Sequence, residues 1–160
     1  VFIPIISISN ALSTFVSQNL GAGEVERAKK GAFLGTVVSM GMAVVMGIGM
    51  YLLAPQLIRI FTSEPQSVEY GVVFMRTVTI FYLFLTFSHE ATGILRGLGM
   101  SVIPMLGMFG FWCVGRILYV TIALRVIPDF RVICWAYPLT WICTTAIFSI
   151  VLFRTKWRAG

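Results

Sequence analysis

Apolar residues run along this chain in long stretches broken by short polar turns, and five stretches can be drawn. They cover about 1–20, 31–61, 67–95, 102–127 and 130–153. Each reaches or exceeds the ~20 residues that a helix rising 1.5 Å per residue needs to cross a hydrocarbon core of about 30 Å. Gly21 to Arg27, Thr62 to Gln66, Arg96 to Ser101 and Pro128-Asp129 join them. Connections this tight make successive helices antiparallel neighbours. The pattern predicts an all-α, polytopic membrane helix bundle of about five transmembrane helices, one unit over 1–160 without a linker or second domain.

Polar positions within the stretches fall on faces. In the third, steps of three and four pick out Arg76, Thr79, Leu83, Thr86, Glu90, Gly93 and Gly97, which share one side of a continuous helix. Tyr82 and His89 lie on the neighbouring face. Ionisable groups at membrane depth cost roughly 2.5–3.5 kcal/mol each on insertion scales, so they face a bundle interior or a wet cavity. In the first stretch Asn10, Thr14, Ser17 and Gln18 share one side, which suits hydrogen bonding between helices or a water-facing wall.

The second stretch carries a small residue at every fourth position, Gly31, Gly35, Ser39, Ala43 and Gly47, a ladder that lets another backbone approach closely. Met40, Met42, Met46 and Met50 flank it. Helix packing is the expected use, and an adaptable Met-lined drug surface is the alternative. In the fifth stretch Pro138 removes a backbone donor, which predicts a bend near Tyr137 and Trp141.

Composition agrees with a membrane protein. The 160 residues are 58% hydrophobic and 11% charged, against about 25% charged in soluble domains. The net charge of +6 does not suggest nucleic acid, because the cations sit mainly at the ends of apolar runs. One side collects Arg27, Lys29, Lys30, Arg96, Arg154, Lys156 and Arg158, and the other only Arg59, Arg125 and Arg131. The positive-inside rule then puts the first side in the cytoplasm, with Val1 outside and Gly160 inside. The chain opens on Val1 within an apolar stretch and shows no signal-peptide n-region, so a piece of something longer is expected.

Enzyme chemistry finds little footing. His89-Glu90 begins like a zinc-protease HExxH motif, but Gly93 stands where the second histidine belongs and His89 is the only histidine. Asp129 is the only aspartate and lies in a turn. Cys113, Cys134 and Cys143 form no CxxC pair and are expected to be small buried hydrophobes. Gly21-Ala22-Gly23 and Gly97-Leu98-Gly99 follow helices rather than strands and suit tight turns. No catalytic or metal site is expected.

Glu90 and Arg116 remain. Arg116 lies about 14 residues into the fourth stretch, roughly 21 Å along it, while Glu90 sits nearer the cytoplasmic end of its own helix. A direct bridge between them therefore needs shifted helix boundaries or a water. Either these charges form a static neutralised network, or Glu90 is a proton or cation site with Arg76 and Arg116 as electrostatic partners.

Gln18-Asn19-Leu20-Gly21-Ala22-Gly23, followed by Arg27-Ala28-Lys29-Lys30-Gly31, resembles a helix-end signature of the multidrug and toxin extrusion (MATE) family. Ile94-Leu95-Arg96-Gly97-Leu98-Gly99, with Ser101 and Pro104-Met105, resembles the matching turn of that family's second half. The resemblance implies a twelve-helix exporter of two six-helix lobes, in which sodium or proton entry drives alternating access. This chain is similar to helices eight to twelve, so its implied partners are the missing N-terminal lobe, membrane lipid and a small organic substrate, with no nucleic acid. It also implies a multi-pass protein of the cell membrane, of the bacterial inner type, with the C-terminus cytoplasmic and no cofactor beyond the coupling ion. Some members carry an acid in the tenth helix about eleven residues before the turn arginine, where this chain has Leu85; Glu90 is the candidate replacement from another face.

The expected function is ion-driven export of amphipathic, cationic organic compounds through a cleft presenting Arg76, Thr79, Tyr82, Thr86, His89, Glu90, Arg116 and Asn10. His89 could titrate near neutral pH and couple to Glu90. The alternatives are a lipid-linked precursor flippase of the same two-lobe plan and an inert truncated half or assembly module.

Overall fold

A computed structural model describes residues 2–157, the Phe2 side chain excepted; Val1, Arg158 and Gly160, which entered the topology expectation, lie outside the described residues. Helices are the only regular elements among the described residues. They are α1 (Phe2–Gly21), α2 (Val25–Leu52), α3 (Ala54–Arg59), α4 (Pro65–Ile80), α5 (Tyr82–Gly97), α6 (Val102–Met108), α7 (Arg116–Val126) and α8 (Phe130–Arg154), with a π-helical turn over Phe109–Gly115 joining α6 to α7.

The second stretch starts earlier than its apolar run, at Val25, where Lys29 and Glu26 pair at 2.8 Å across the first turns. It ends at Leu52 rather than near Phe61. Pro55, at the start of α3, offers no N–H and crowds the carbonyl four residues back, so the helix cannot pass through it. The two glycine turns close as left-handed corners, with φ of +80° at Gly23 and +79° at Gly99. Both are conformations that a Cβ opposes. Asp129 caps α8 by accepting a 2.9 Å bond from the Arg131 N–H.

The third stretch is not one straight helix, which corrects the single-face expectation. It breaks at Phe81, and α4 and α5 meet at 54°. No Pro or Gly stands at the break. Thr77 bonds back to the Val73 carbonyl at 2.8 Å, and Thr79 bonds the Met75 and Arg76 carbonyls at 2.6 and 3.2 Å. Such back-bonding draws carbonyls off the helical ladder and bends helices. Phe81 then wedges against Trp135 of α8, ring centroids 5.5 Å apart.

Helix α5 sits at the centre. Eleven of its sixteen residues are buried, against α1 on one side, α2 on another and α8 on a third. The approach to α1 is close because Gly93 and Gly97 carry no Cβ: one at Gly93 would run into the Ser9 carbonyl, and one at Gly97 into Ser13 and Val16. The α2 ladder likewise serves packing, with Gly31 under the Phe15 ring and Gly35 under Leu12. Of the three cysteines, Cys134 is buried, but Cys113 and Cys143 lie on the outer surface, contrary to expectation.

By length and composition, three helical rods among the described residues can cross a membrane: α2, the continuous α6–π–α7 rod and α8; the bent α4–α5 pair makes a fourth. Five were expected. The first, α1, has 20 residues and is not among these rods.

Candidate functional site

The polar residues of α5 converge at one level of the bundle. Glu90 has no exposed surface, and its Oε1 accepts a 2.6 Å hydrogen bond from the Ser39 hydroxyl on α2, which is buried as completely. The other carboxyl oxygen, Oε2, has no hydrogen-bond partner among the described residues. One turn earlier on the same face, Thr86 is also fully buried, and its hydroxyl is unpartnered too. Four residues along a helix bring side chains within roughly 5–6 Å. The result is a buried node of one carboxyl and two hydroxyls, with Glu90 Oε2 and Thr86 Oγ1 unpaired among the described residues. Leaving such a group unsatisfied costs about 1–3 kcal/mol.

Its surroundings hold it in place. Ser9 of α1 donates to the His89 carbonyl at 2.6 Å, fixing the backbone beside Glu90. The His89 ring meets Trp112 edge to face at 5.4 Å, and Trp112 in turn donates to the Thr144 hydroxyl at 3.0 Å. Arg96 reaches back to the Asn10 side-chain oxygen at 3.1 Å. Asn10, Thr14, Ser17 and Gln18 are all exposed along α1, so that side is an open polar face.

The arginines do not join the node. Neither Arg76 nor Arg116 makes an ion pair with Glu90. Arg76 is exposed, its guanidinium 5.3 Å from the centre of the Tyr51 ring on α2. The bend at Phe81 turns it away from the face that α5 presents. Arg116 lies over the Tyr137 ring at 4.1 Å and donates to Thr140 Oγ1 at 2.9 Å. The network of neutralised charges is therefore replaced by aromatic and hydroxyl partners.

The bend also opens a pocket of about 240 Å³ between α2 and the α4–α5 corner, lined by Ala43, Gly47, Tyr51, Thr79, Tyr82 and Leu83. Thr79 and Tyr82 thus face a cavity distinct from the Glu90 node, and Tyr82 also packs on Trp141. Of the residues singled out in the sequence, Thr86 and Glu90 come together, Thr79 and Tyr82 come together, and Asn10 meets Arg96. Ser39, Tyr51, Tyr137 and Thr140 carry roles not assigned from sequence. The one visible signal for Ser39 was that it is the single hydroxyl in the α2 ladder. Among the described residues no cluster of three or more His, Cys, Asp or Glu side chains could hold a metal ion.

The MatE family model matches residues 1–122. A protein of Thermotoga maritima named "Probable multidrug resistance protein NorM" is 34% identical over 108 residues, which are 68% of this chain and 23% of that protein. A Bacillus subtilis protein named "Probable multidrug resistance protein YpnP" is 27% identical over 111 residues, 69% of this chain and 25% of that one. The chain thus spans about a quarter of the length of these relatives. The fold matches the solved structure titled "Inward-facing conformation of a multidrug resistance MATE family transporter of the MOP superfamily", with a TM-score of 0.83 and 23% identity over 99% of this chain and 37% of that one.

Proposed function

The chain belongs to the MatE family, and on that premise we propose that it forms part of a multi-pass membrane transporter exporting amphipathic, cationic organic compounds by alternating access. The coupling ion is sodium or a proton. The N-terminal lobe of the same transporter is its partner, with membrane lipid around both and no nucleic acid involved. Two supports are the names of the relatives and the open polar face of α1, which suits the wet wall of a cleft. The end bearing Arg27, Lys29, Lys30, Arg96, Arg154 and Lys156 is the cytoplasmic one by the positive-inside rule, in a cell membrane.

The observation that carries the coupling is the half-satisfied Glu90 carboxyl, buried with Ser39 on one oxygen and nothing on the other. A proton or a single sodium ion completes that group, with Thr86 Oγ1 and Ser39 Oγ as neutral ligands. Because Ser39 and Glu90 belong to α2 and α5, occupation ties these helices together and release frees them to part. That is the two-state element an ion-driven cycle needs. The pocket at the Phe81 bend, with Tyr51, Thr79 and Tyr82, supplies an aromatic, weakly polar surface for part of an amphipathic substrate.

The test is Glu90→Gln in the full-length transporter, assayed in vesicles with imposed sodium or proton gradients. Ion-driven efflux should be abolished while membrane insertion is unchanged. Normal efflux by the variant eliminates Glu90 as the coupling acid, and a wild-type protein that moves no organic cation at all removes the exporter reading.

A further inference from the structure

A second feature lies outside that reading, a groove of about 380 Å³ where α2, α5 and α8 diverge. Its walls include Phe33 and Met40 of α2, Phe87 of α5, Phe153 at the end of α8 and Trp157 just beyond it, and Lys29 is its one charged lining residue. From Lys29 to Met40 the groove follows eleven residues of unbroken helix, roughly 16 Å. Half of a ~30 Å hydrocarbon core is about 15 Å. The groove is therefore one leaflet deep, apolar along its length and cationic at its mouth.

The chemistry of the mouth sets the occupant. Lys29 pairs with Glu26, but both are exposed, at 45% and 75%, and such pairs are weak enough for a phosphate to compete. Arg154 follows Phe153 and Lys156 precedes Trp157 in the chain, and both are exposed, so two more cations flank groove-lining residues in sequence. Arg27, Lys30 and Arg96 add to them, against only Glu24 and Glu26. A tryptophan at this level suits the headgroup layer. Basic recesses between membrane helices with apolar floors recognise anionic lipid headgroups.

We propose that this groove binds one anionic phospholipid, an acyl chain lying along Phe33, Val37 and Met40 and its phosphate between Lys29 and Lys156. The proposal rests on the membrane-spanning reading alone and stands whether or not the protein exports drugs.

The test uses the delipidated protein carrying this sequence, with phosphatidylglycerol and phosphatidylcholine of matched chains, read by native mass spectrometry and thermal unfolding. Phosphatidylglycerol should be retained about five-fold or more over phosphatidylcholine, as one or two cations near a headgroup dictate. Lys29→Gln with Lys156→Gln should abolish that preference and leave the response to phosphatidylcholine unchanged. Equal retention of the two lipids by the wild type overturns the headgroup assignment. Val37→Trp, which fills the groove, should lose the bound lipid; lipid retention unchanged by it, or an oligomer that it dissociates, overturns the occupant. On the wild type itself, phosphatidylglycerol with a photoreactive acyl chain should label residues 29–40 or 149–157, and labelling confined to other segments overturns the site.

Discussion

Ser39 of α2 donates a 2.6 Å hydrogen bond to Glu90 of α5, and neither residue has exposed surface. This one contact converts an apparent packing ladder and an apparent charge stripe into a single feature. The small residue that lets α2 come close is also, among the described residues, the one hydrogen-bond partner of the buried acid. Stability and the proposed ion coupling therefore meet at the same bond.

Ser39→Ala should remove the hydrogen bond that Glu90 accepts in this buried site. The expected loss is about 1–3 kcal/mol, read by thermal unfolding in micelles. The loss in the double variant Ser39→Ala/Glu90→Ala should fall short of the sum of the two single losses by roughly 0.5–3 kcal/mol. Strict additivity would show that the contact contributes nothing.

Gly93 predicts a sharper penalty. A Cβ there meets the Ser9 carbonyl, a backbone atom that cannot swing aside, whereas one at Gly41 meets nothing within 4 Å. Gly93→Ala should destabilise by about 1–3 kcal/mol through overpacking. Gly41→Ala should be neutral or gain up to about 1 kcal/mol from helix propensity. Equal effects at the two sites would mean that α1 and α5 do not pack as described.

Much of this bundle was legible as hydrophobic runs, because a helix in lipid must bury or satisfy every backbone group within itself. The glycine end of the α5 stripe was legible for the same reason that Gly93 is costly to change: small residues four apart mark close helices. Pro55 carried a readable break that the uninterrupted apolar run concealed. The break at Phe81 was not readable, since neither Pro nor Gly marks it; it coincides with the back-bonded Thr77 and Thr79 and with the packing of Phe81 on Trp135 of α8. Projecting Arg76 onto the Glu90 face assumed a straight helix, and the 54° bend undoes that projection. The Ser39–Glu90 and Arg116–Tyr137 pairings depend on the register between distant helices, which a single sequence does not encode in any local pattern.

The pocket at that bend gives a functional prediction. Leu83 lines it from a partly exposed position, so Leu83→Trp fills the space without entering the core. Efflux of bulky substrates should fall about ten-fold, the equivalent of ~1.4 kcal/mol, while unfolding temperature stays within the small range of surface changes. Unchanged efflux across a panel of substrate sizes would detach this pocket from transport.

Arg116 provides the last test, because it stands midway along the α6–π–α7 rod with no acidic partner among the described residues. The Tyr137 ring at 4.1 Å and the Thr140 hydroxyl at 2.9 Å take that role. A desolvated guanidinium over an aromatic face gains about 2 kcal/mol, comparable with the roughly 2.5–3.5 kcal/mol cost of an arginine at a membrane centre. Tyr137→Leu should therefore destabilise by about 2 kcal/mol, and Tyr137→Phe, which keeps the ring face, by much less. Arg116→Lys should also lose stability, since an ammonium cannot both stack flat on the ring and reach Thr140 with a planar fork. Thermal unfolding of the three variants in the same micelles decides the matter. If Phe costs as much as Leu at position 137, the hydroxyl and not the ring face is what holds Arg116, and the cation–π account fails.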